Sequence, residues 1–166
     1  MTHHPTTGMN LLVPLLTPFI PLATQWAEEQ EVLILKKGKA LTSKQKLDAK
    51  AAGVAHPERI RVKVVREINP PDGLLLGLAN RFSESLGPDT AGLTLGYGIF
   101  IRKDCENYRA NRDLYVHEFV HVGQYERYGS IQAFFEDYLK ECVDPGYPNG
   151  KLERQADRRA KKIVRG

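Results

Sequence analysis

The chain has 166 residues, of which 42% are hydrophobic and 27% charged, and its formal net charge is +4 at pH 7. This length and balance are typical of one soluble globular domain that is large enough to bury a genuine core. Its two cysteines, Cys105 and Cys142, exclude a disulfide-dense secreted scaffold and form no zinc-finger spacing. The spacing does not decide between two free thiols and one disulfide.

The net positive charge comes largely from the C-terminal end of the chain. A solvated helix face with cations near a helix C-terminus explains such a cluster, because the helix dipole favours positive charge there. No aromatic or glycine-rich binding motif accompanies the cations, so nucleic acid is not expected as a partner. The cluster comprises Arg154, Arg158, Arg159, Lys161, Lys162 and Arg165.

The N-terminal segment is polar over residues 1–9 and strongly apolar over residues 11–23, where three prolines interrupt it. It is shorter than the about 20 apolar residues of a membrane span. A signal-peptide core fits its length, although no Lys or Arg precedes it and no clean cleavage site follows. An extended arm is the alternative, and the pattern does not decide between the two. We assign residues 1–23 to a tail and a Pro-containing arm and residues 24–166 to a single domain. The arm, residues 9–23, packs on the domain, a membrane or a partner. The compartment stays open, with the cytoplasm slightly favoured.

Two helices and a strand are predicted in the first half of the chain. Residues 22–37 combine apolar positions with early acids and late lysines, and Gly38 ends the helix. Residues 42–45, TSKQ, form a capping box, which opens a short helix that Gly53 ends. Residues 59–68 then alternate apolar and charged side chains, which predicts a half-buried strand.

A second strand is predicted further along the chain. Turn chemistry in residues 69–73, NPPDG, ends the first strand, and residues 74–86 fit either a helix or a strand. Residues 92–101 predict the second strand, with glycines at positions 92, 96 and 98 opposite its apolar face. Such glycines mark either the close approach of another backbone or a bulge or turn, and the pattern does not decide between them. The apolar face comprises Leu93, Leu95, Tyr97, Ile99 and Ile101.

Residues 113–125 hold the pattern around which the chain is organised, His117-Glu118-x-x-His121. Residues four apart on a helix share one face, so both imidazoles can bind one metal ion, and neutral imidazole is a good zinc ligand. Glu118 lies roughly 100° round the helix, where it can reach a metal-bound water without binding the metal itself. Buried His and Glu need partners, which a metal provides, so we favour a metal site over a chance pattern.

Three helices are predicted in the last third of the chain. The helix with the two histidines begins at residue 111 or 113 and ends before Gly129, and its flanking residues are apolar almost all round, which predicts burial. An amphipathic helix follows over residues 131–142, and we interpret its aromatic stripe as core. After a Gly/Pro-rich loop, a last helix begins at about Lys151.

A catalytic zinc takes three protein ligands and a water, so a third ligand is needed. The longer HExxHxxGxxH pattern, which would supply a third histidine, is absent, since Gln124 and Arg127 occupy the positions of its glycine and third histidine. His56 precedes a proline in a loop, where solvent exposure is its expected state. Solvation is also expected for the acids on or near the polar face of the helix over residues 131–142, namely Glu136, Asp137 and Glu141.

Glu153 and Asp157 are better placed, because they lie four residues apart on the last helix. One can bind the metal while the other, one turn on, hydrogen-bonds a histidine ring nitrogen and fixes its tautomer. The combination of His117-Glu118-x-x-His121 with Glu153-x-x-x-Asp157 resembles the gluzincin arrangement of zinc metallopeptidases. Residues 92–160 are also similar to small bacterial zincin-like domains.

This resemblance implies an α+β fold: a compact zincin-like domain with a small mixed sheet, an HExxH active-site helix and a C-terminal ligand helix. It implies a zinc ion bound by His117, His121 and Glu153, with Asp157 orienting a ligand histidine. It also implies that residues 92–101 form an edge strand, which pairs with a peptide or protein substrate in an extended conformation.

The sequence therefore predicts a zinc-dependent metallopeptidase. Zinc would lower the pKa of its water toward about 7 and polarise the scissile carbonyl, and Glu118 would act as the general base. Tyr147, in the loop before the last helix, is a candidate oxyanion donor, although a surface position in a turn is its simpler role. The alternative is a binding or structural protein on a zincin scaffold that keeps the metal with weak or no turnover. The presence of Glu118 argues against it, because a structural site needs no such acid.

Overall fold

The computed structural model describes residues 17–69, 90–141 and 150–166. Cys105 is a free and partly buried thiol. Several predictions concern segments outside the described residues: the polar tail, the arm up to residue 16, the turn at 70–73, the segment 74–86, Cys142 and Tyr147.

The described residues combine helices with a small mixed sheet, which confirms the predicted α+β class. No helix in this part of the chain is long and apolar enough to cross a bilayer. The helices are α1 (Ile20–Lys37), α2 (Ser43–Ala52), α3 (Arg112–Tyr128), α4 (Ile131–Glu141) and α5 (Lys151–Arg165). The strands are β1 (Lys39–Ala40), β2 (Arg61–Val65), β3 (Gly92–Leu95) and β4 (Gly98–Arg102).

Helix ends follow the chemistry that the sequence predicts. At the start of α2, Thr42 Oγ1 accepts the backbone N–H of Gln45 across 3.3 Å, and Gln45 Oε1 accepts that of Thr42 across 2.8 Å. Gly53 and Gly129 follow α2 and α3 in the left-handed conformation, with φ of +100° and +80°. Glycine adopts this conformation without the steric cost that a side chain brings. The predicted limits of both helices are therefore confirmed to within about a residue.

Helix α1 begins at Ile20, earlier than the sequence predicts, and ends at Gly38 as expected. The last residues of the expected extended arm, 20–23, are therefore helical, and Ile20 and Ala23 are buried. Pro21 lies in the first turn, where a missing N–H breaks no intrahelical hydrogen bond. The expected boundary between arm and domain thus falls inside a helix.

The sheet has the strand order β1-β2-β4-β3. Its central pair, β2 and β4, is parallel, whereas β1 and β3 are antiparallel to their neighbours. On one face, Ile34 of α1 belongs to the same buried cluster as Phe100. On the other face, Phe119 of α3 belongs to the same buried cluster as Ile99 and Ile101. The sheet therefore holds α3, the helix with the two histidines, against its second face.

Residues 92–101 do not form the single strand that the sequence predicts. They form a hairpin, in which Leu95 pairs with Gly98 across a two-residue loop. Gly96 has φ of +63° at the first loop position, where type II′ turns place glycine. At Gly98 the close neighbour is a side chain, because an added Cβ would lie 2.9 Å from Ile34 Cδ1. A turn explains Gly96, and a tight side-chain contact, not a second backbone, explains Gly98.

The hairpin changes which side chains share a face, because residues directly opposite each other lie on the same side of a sheet. Leu93 pairs with Phe100 on the α1 side. Thr94 pairs with Ile99, which lies with Ile101 on the α3 side. The predicted common apolar face is therefore wrong.

Among the described strands, β3 lies at an edge of the sheet and β4 does not, since β2 and β3 pair with β4 on either side. The predicted edge strand is thus confirmed for residues 92–95 and wrong for residues 98–101. Of the two hairpin strands, only β3 has an open side among the described strands.

Candidate metal centre

Helix α3 carries His117 and His121 one turn apart and packs against α5, which carries Glu153. The apolar residues that flank the histidines bury the helix as predicted, and Val116 and Phe119 are fully buried. Burial of these flanks fixes the rotation of α3, so both imidazoles face α5.

Three side chains converge at this helix contact. His117 Nε2 and His121 Nε2 lie 3.0 Å apart. Glu153 Oε2 lies 3.3 Å from His117 Nε2, and Glu153 Oε1 lies 3.2 Å from His121 Nε2. Within the described parts of the chain, this is the one group of three or more His, Cys, Asp or Glu side chains placed to hold a metal ion.

Asp157 fixes the ring of His117. Its Oδ1 lies 2.9 Å from His117 Nδ1, and an ionised carboxylate only accepts hydrogen bonds, so Nδ1 carries the proton. In the neutral ring, Nε2 therefore presents its lone pair to Glu153. Glu153 and Asp157, four residues apart on α5, thus reach the histidine site together.

Gln124 fixes the ring of His121 in the same way. Its Nε2 donates to the carbonyl of Leu152 across 3.0 Å and to Gln155 Oε1 across 2.9 Å. Since a carbonyl only accepts, the amide nitrogen must face Leu152, and Gln124 Oε1 faces His121 Nδ1 at 2.7 Å. Nδ1 therefore carries the proton, and His121 Nε2 also presents a lone pair.

The donor set fits a small divalent cation. Lone pairs that face one another at 3.0–3.3 Å repel unless a positive charge lies among them. Tetrahedral zinc ligands at about 2.0–2.1 Å from the ion stand about 3.3 Å apart, close to the three observed separations. Two imidazoles and a carboxylate are ligand types that zinc accepts.

Charge at the site also favours a cation. Burial lowers the pKa of His117, but a hydrogen bond to Glu153 and the charges of three carboxylates outweigh it and raise this pKa to about 9. Those carboxylates are Glu118, Glu153 and Asp157. Burial raises the pKa of Glu153, yet hydrogen bonds to His117 and His121 hold it well below its usual range. The carboxylates that stabilise a proton here would also stabilise a metal ion.

No protein-family model, curated protein or solved structure matches this chain. The gluzincin resemblance therefore rests on the sequence pattern alone, and the geometry just described shows a group of side chains that could hold a metal ion.

Glu118 lies beside strand β3, and its side chain is held there. Glu118 is 4% exposed, and Thr94 Oγ1 donates to Glu118 Oε2 across 2.6 Å. A Cβ atom at Gly92 would lie 2.7 Å from Glu118 Oε1, so only glycine leaves room for the carboxylate. Tyr125 in turn donates its O–H to the carbonyl of Thr94 across 3.2 Å. The close neighbour at Gly92 is thus a side chain, not a backbone.

Tyr138 of α4 touches the third member of the triad. Its O–H donates to Glu153 Oε1 across 2.7 Å. Its ring stacks on Phe134 with a centroid distance of 5.2 Å, and both rings meet His121 edge-on at 6.2 and 6.3 Å. Core is the correct interpretation for the buried residues Phe134 and Leu139, whereas Tyr138 also belongs to the site.

Sequence reasoning missed Thr94, Gln124 and Tyr138. Gln124 carried a signal, since it follows His121 by three positions on one helix and residues so spaced are neighbours. Thr94 and Tyr138 carried none, because both reach the site from other elements.

The remaining candidate ligands lie elsewhere. His56 is exposed, with its Nδ1 3.3 Å from Glu58 Oε1. Glu141 was expected to be solvated, but its Oε2 accepts the backbone N–H of Leu152 across 2.8 Å and so caps the start of α5. Tyr147 lies outside the described residues.

Two acids of α4 bind polar neighbours near the surface. Asp137 is exposed and accepts the O–H of Tyr128 across 2.9 Å, and the half-buried Glu136 accepts from Gln132 across 3.2 Å. Neither belongs to the triad.

Proposed function

We propose that this protein is a zinc-dependent metallopeptidase of the gluzincin type. The observation that carries the proposal is the convergence of His117, His121 and Glu153 at 3.0–3.3 Å. Structural zinc sites are closed by four protein ligands, whereas catalytic sites have three and keep one position open. Three protein ligands with an acid, Glu118, next to the first of them support hydrolysis over a purely structural site.

When bound, zinc would supply a Lewis acid that polarises a carbonyl and lowers the pKa of water. Glu118 removes a proton from the attacking water and passes it to the leaving amine. Thr94 holds the Glu118 carboxylate in place. Asp157 and Gln124 hold protons on the Nδ1 atoms of the two histidines, which keeps both Nε2 lone pairs available.

The substrate in this proposal is an extended peptide or protein segment. Strand β3 has an open edge among the described strands, and such an edge binds a peptide by main-chain hydrogen bonds. Its residues Gly92 and Thr94 contact Glu118, so a strand added at this edge would run past the base. A strand added to β3 would point alternate amide N–H groups toward β3. N-methylation of those amides should weaken peptide binding, whereas N-methylation of the intervening amides should not.

The direct test measures metal content and turnover in the same preparation. We expect about one zinc ion per chain, and hydrolysis of an unfolded protein substrate that a chelator abolishes and zinc restores. A zinc-loaded protein that cleaves no member of a broad peptide library would contradict the proposed peptidase activity.

The second candidate is a binding or structural protein that keeps the metal. The burial of Glu118 against Thr94 favours it, because a carboxylate already bonded in the fold needs no catalytic role to explain it. Full zinc occupancy together with tight peptide binding and no turnover is the result that this candidate expects.

A further inference from the structure

A groove of about 750 Å³ lies between α2 and α5, away from the histidine side of α5. Its volume is within the range of about 300–1,000 Å³ that is usual for small-molecule sites. Gln155, which lines it, accepts a hydrogen bond from Gln124, and Gln124 accepts one from His121. The groove therefore lies two hydrogen bonds from a residue of the triad.

Positive charge dominates the lining. Its cationic side chains are those of Arg112, Arg158, Arg159 and Lys162, and its acidic side chain is Asp48. Arg112 neutralises Asp48 through two hydrogen bonds of 2.8 and 2.9 Å. The four cationic side chains and one acidic side chain leave the side-chain lining with an excess of three positive charges.

Three of these cations have no carboxylate within ion-pair distance in the described ranges, namely Arg158, Arg159 and Lys162. Cations in a concave, partly apolar site attract anions more strongly than cations on a convex surface, because the low-dielectric walls focus the field. Ala51 and Ile163 supply apolar lining here. The groove is thus a place where an anion would be favoured.

The positions of these cations suit more than one phosphate group. Arg159 donates through Nε and Nη2 to the carbonyl of Ala51 across 3.2 and 3.0 Å, which fixes its side chain at the end of α2. Arg158 and Lys162 lie four residues apart on α5, so their Cβ atoms are about 5–6 Å apart on one face. Guanidinium and ammonium groups are the side chains that bind phosphate oxygens.

We propose that this groove binds a small anion that carries two linked phosphate groups, as a diphosphate or a nucleoside diphosphate does. The proposal is independent of the proposed peptidase, since it needs neither the metal nor turnover. Arg154, Lys161 and Arg165 lie outside the groove, and a solvated helix face accounts for them. Arg158, Arg159 and Lys162 are exposed as well, so their place in the groove is what distinguishes them. A solvated helix face does not account for a groove between α2 and α5 that is lined by three cations without an ion-pair partner in the described ranges.

The test is a calorimetric titration of the full-length protein with inorganic pyrophosphate at physiological ionic strength, about 0.15 M. We expect saturable binding of one anion per chain. The double variant Arg158→Gln/Lys162→Gln should weaken it by about tenfold or more, because each lost contact is charge-assisted. The matched control Arg154→Gln/Lys161→Gln removes the same charge from the same helix outside the groove and should weaken binding by less than about threefold.

A second titration with a nucleoside diphosphate identifies the source of the phosphates. If the nucleoside diphosphate binds more tightly than pyrophosphate, the apolar lining contacts the nucleoside. If the two bind equally, the site recognises the diphosphate alone. Equal weakening in both double variants would overturn the proposal in favour of general charge attraction. Unchanged affinity in Arg158→Gln/Lys162→Gln would show that the anion binds outside the groove. Absence of saturable binding to the parent protein would show that it has no such anion site.

Discussion

The O–H of Tyr138 donates to Glu153 Oε1 across 2.7 Å, which ties helix α4 to the triad. This bond holds one carboxylate oxygen of Glu153. Tyr138→Phe removes it while keeping the ring that stacks on Phe134. We expect zinc affinity to fall about 10–100-fold, as it does when a hydrogen bond to a metal ligand is lost, with little change in thermal stability.

Chelator competition measures this affinity, and Tyr128→Phe is the matched control. Tyr128 also donates its O–H to a carboxylate, that of Asp137, across 2.9 Å, but Asp137 is not a member of the triad. Equal zinc affinity in Tyr138→Phe and the parent would show that the bond does not act on the metal.

Glu118→Gln tests the proposed base. The amide oxygen of glutamine can still accept from Thr94 Oγ1, so the fold and zinc content should not change. Peptide hydrolysis should drop by about 10²-fold or more, the usual range for a lost acid or base. The measurement is kcat on a defined peptide at full zinc occupancy. A variant as fast as the parent would exclude Glu118 as the base.

Glu153→Ala and Asp157→Ala distinguish a proposed metal ligand from a residue that orients a ligand. Glu153 is buried between both histidines, so its loss should largely abolish tight zinc binding. Among the described residues, Asp157 is hydrogen-bonded only to His117 Nδ1, so its loss should weaken zinc binding by about 10–100-fold.

Asp137→Ala is the control for this pair, because Asp137 lies outside the triad and, unlike Glu141, does not cap α5. The zinc dissociation constants of the three variants should rise in the order Asp137→Ala, Asp157→Ala, Glu153→Ala. If Glu153→Ala binds zinc as tightly as the parent, the third ligand is another residue and the gluzincin assignment fails.

Gly92→Ala tests the approach of strand β3 to Glu118. The added Cβ would lie 2.7 Å from Glu118 Oε1, well inside van der Waals contact, so the carboxylate must move. The proposed activity should fall by about tenfold or more, since misplacement by about 1 Å is costly to catalysis. Zinc content should stay near one per chain. Unchanged kcat with unchanged stability would mean that the position of Glu118 is not critical.

The ion pair of Asp48 with Arg112 predicts a pH dependence of stability. The hydrogen bond from Arg112 is the main cause that lowers the pKa of Asp48 below 3.8. A depressed carboxylate pKa contributes stability that is present above the unfolded pKa and is lost as the pH falls through the folded value. Asp48→Asn should therefore lower the free energy of unfolding by about 1–3 kcal/mol near neutral pH and by less in acid.

Denaturant unfolding at several pH values measures this difference, with Asp104→Asn as the control. Arg102 also pairs with Asp104, at 2.7 Å, but the Asp104 side chain is 62% exposed. Exposed pairs contribute little, so this variant should unfold like the parent. A constant difference for Asp48→Asn from neutral to acid pH would contradict the assignment.

Local chemistry made much of the fold predictable. The capping box at Thr42 and the glycines after α2 and α3 act within a few residues, so their effect is nearly independent of the rest of the chain. The hairpin was missed because a two-residue loop leaves the apolar alternation looking continuous. Its turn is fixed by distant partners, since the backbone N–H of Tyr97 donates to Glu31 of α1 across 2.8 Å.

By itself, the sequence determined that His117 and His121 share a face with Glu118 beside them, and that Glu153 and Asp157 share another. Helical geometry alone places residues four apart together. Only the tertiary structure decided that the two faces meet at 3.0–3.3 Å. It also decided that Gln124, Thr94 and Tyr138 complete the site, the latter two from other elements. The physical reason is that periodicity fixes directions within one element, whereas distances between elements follow from how their apolar surfaces pack.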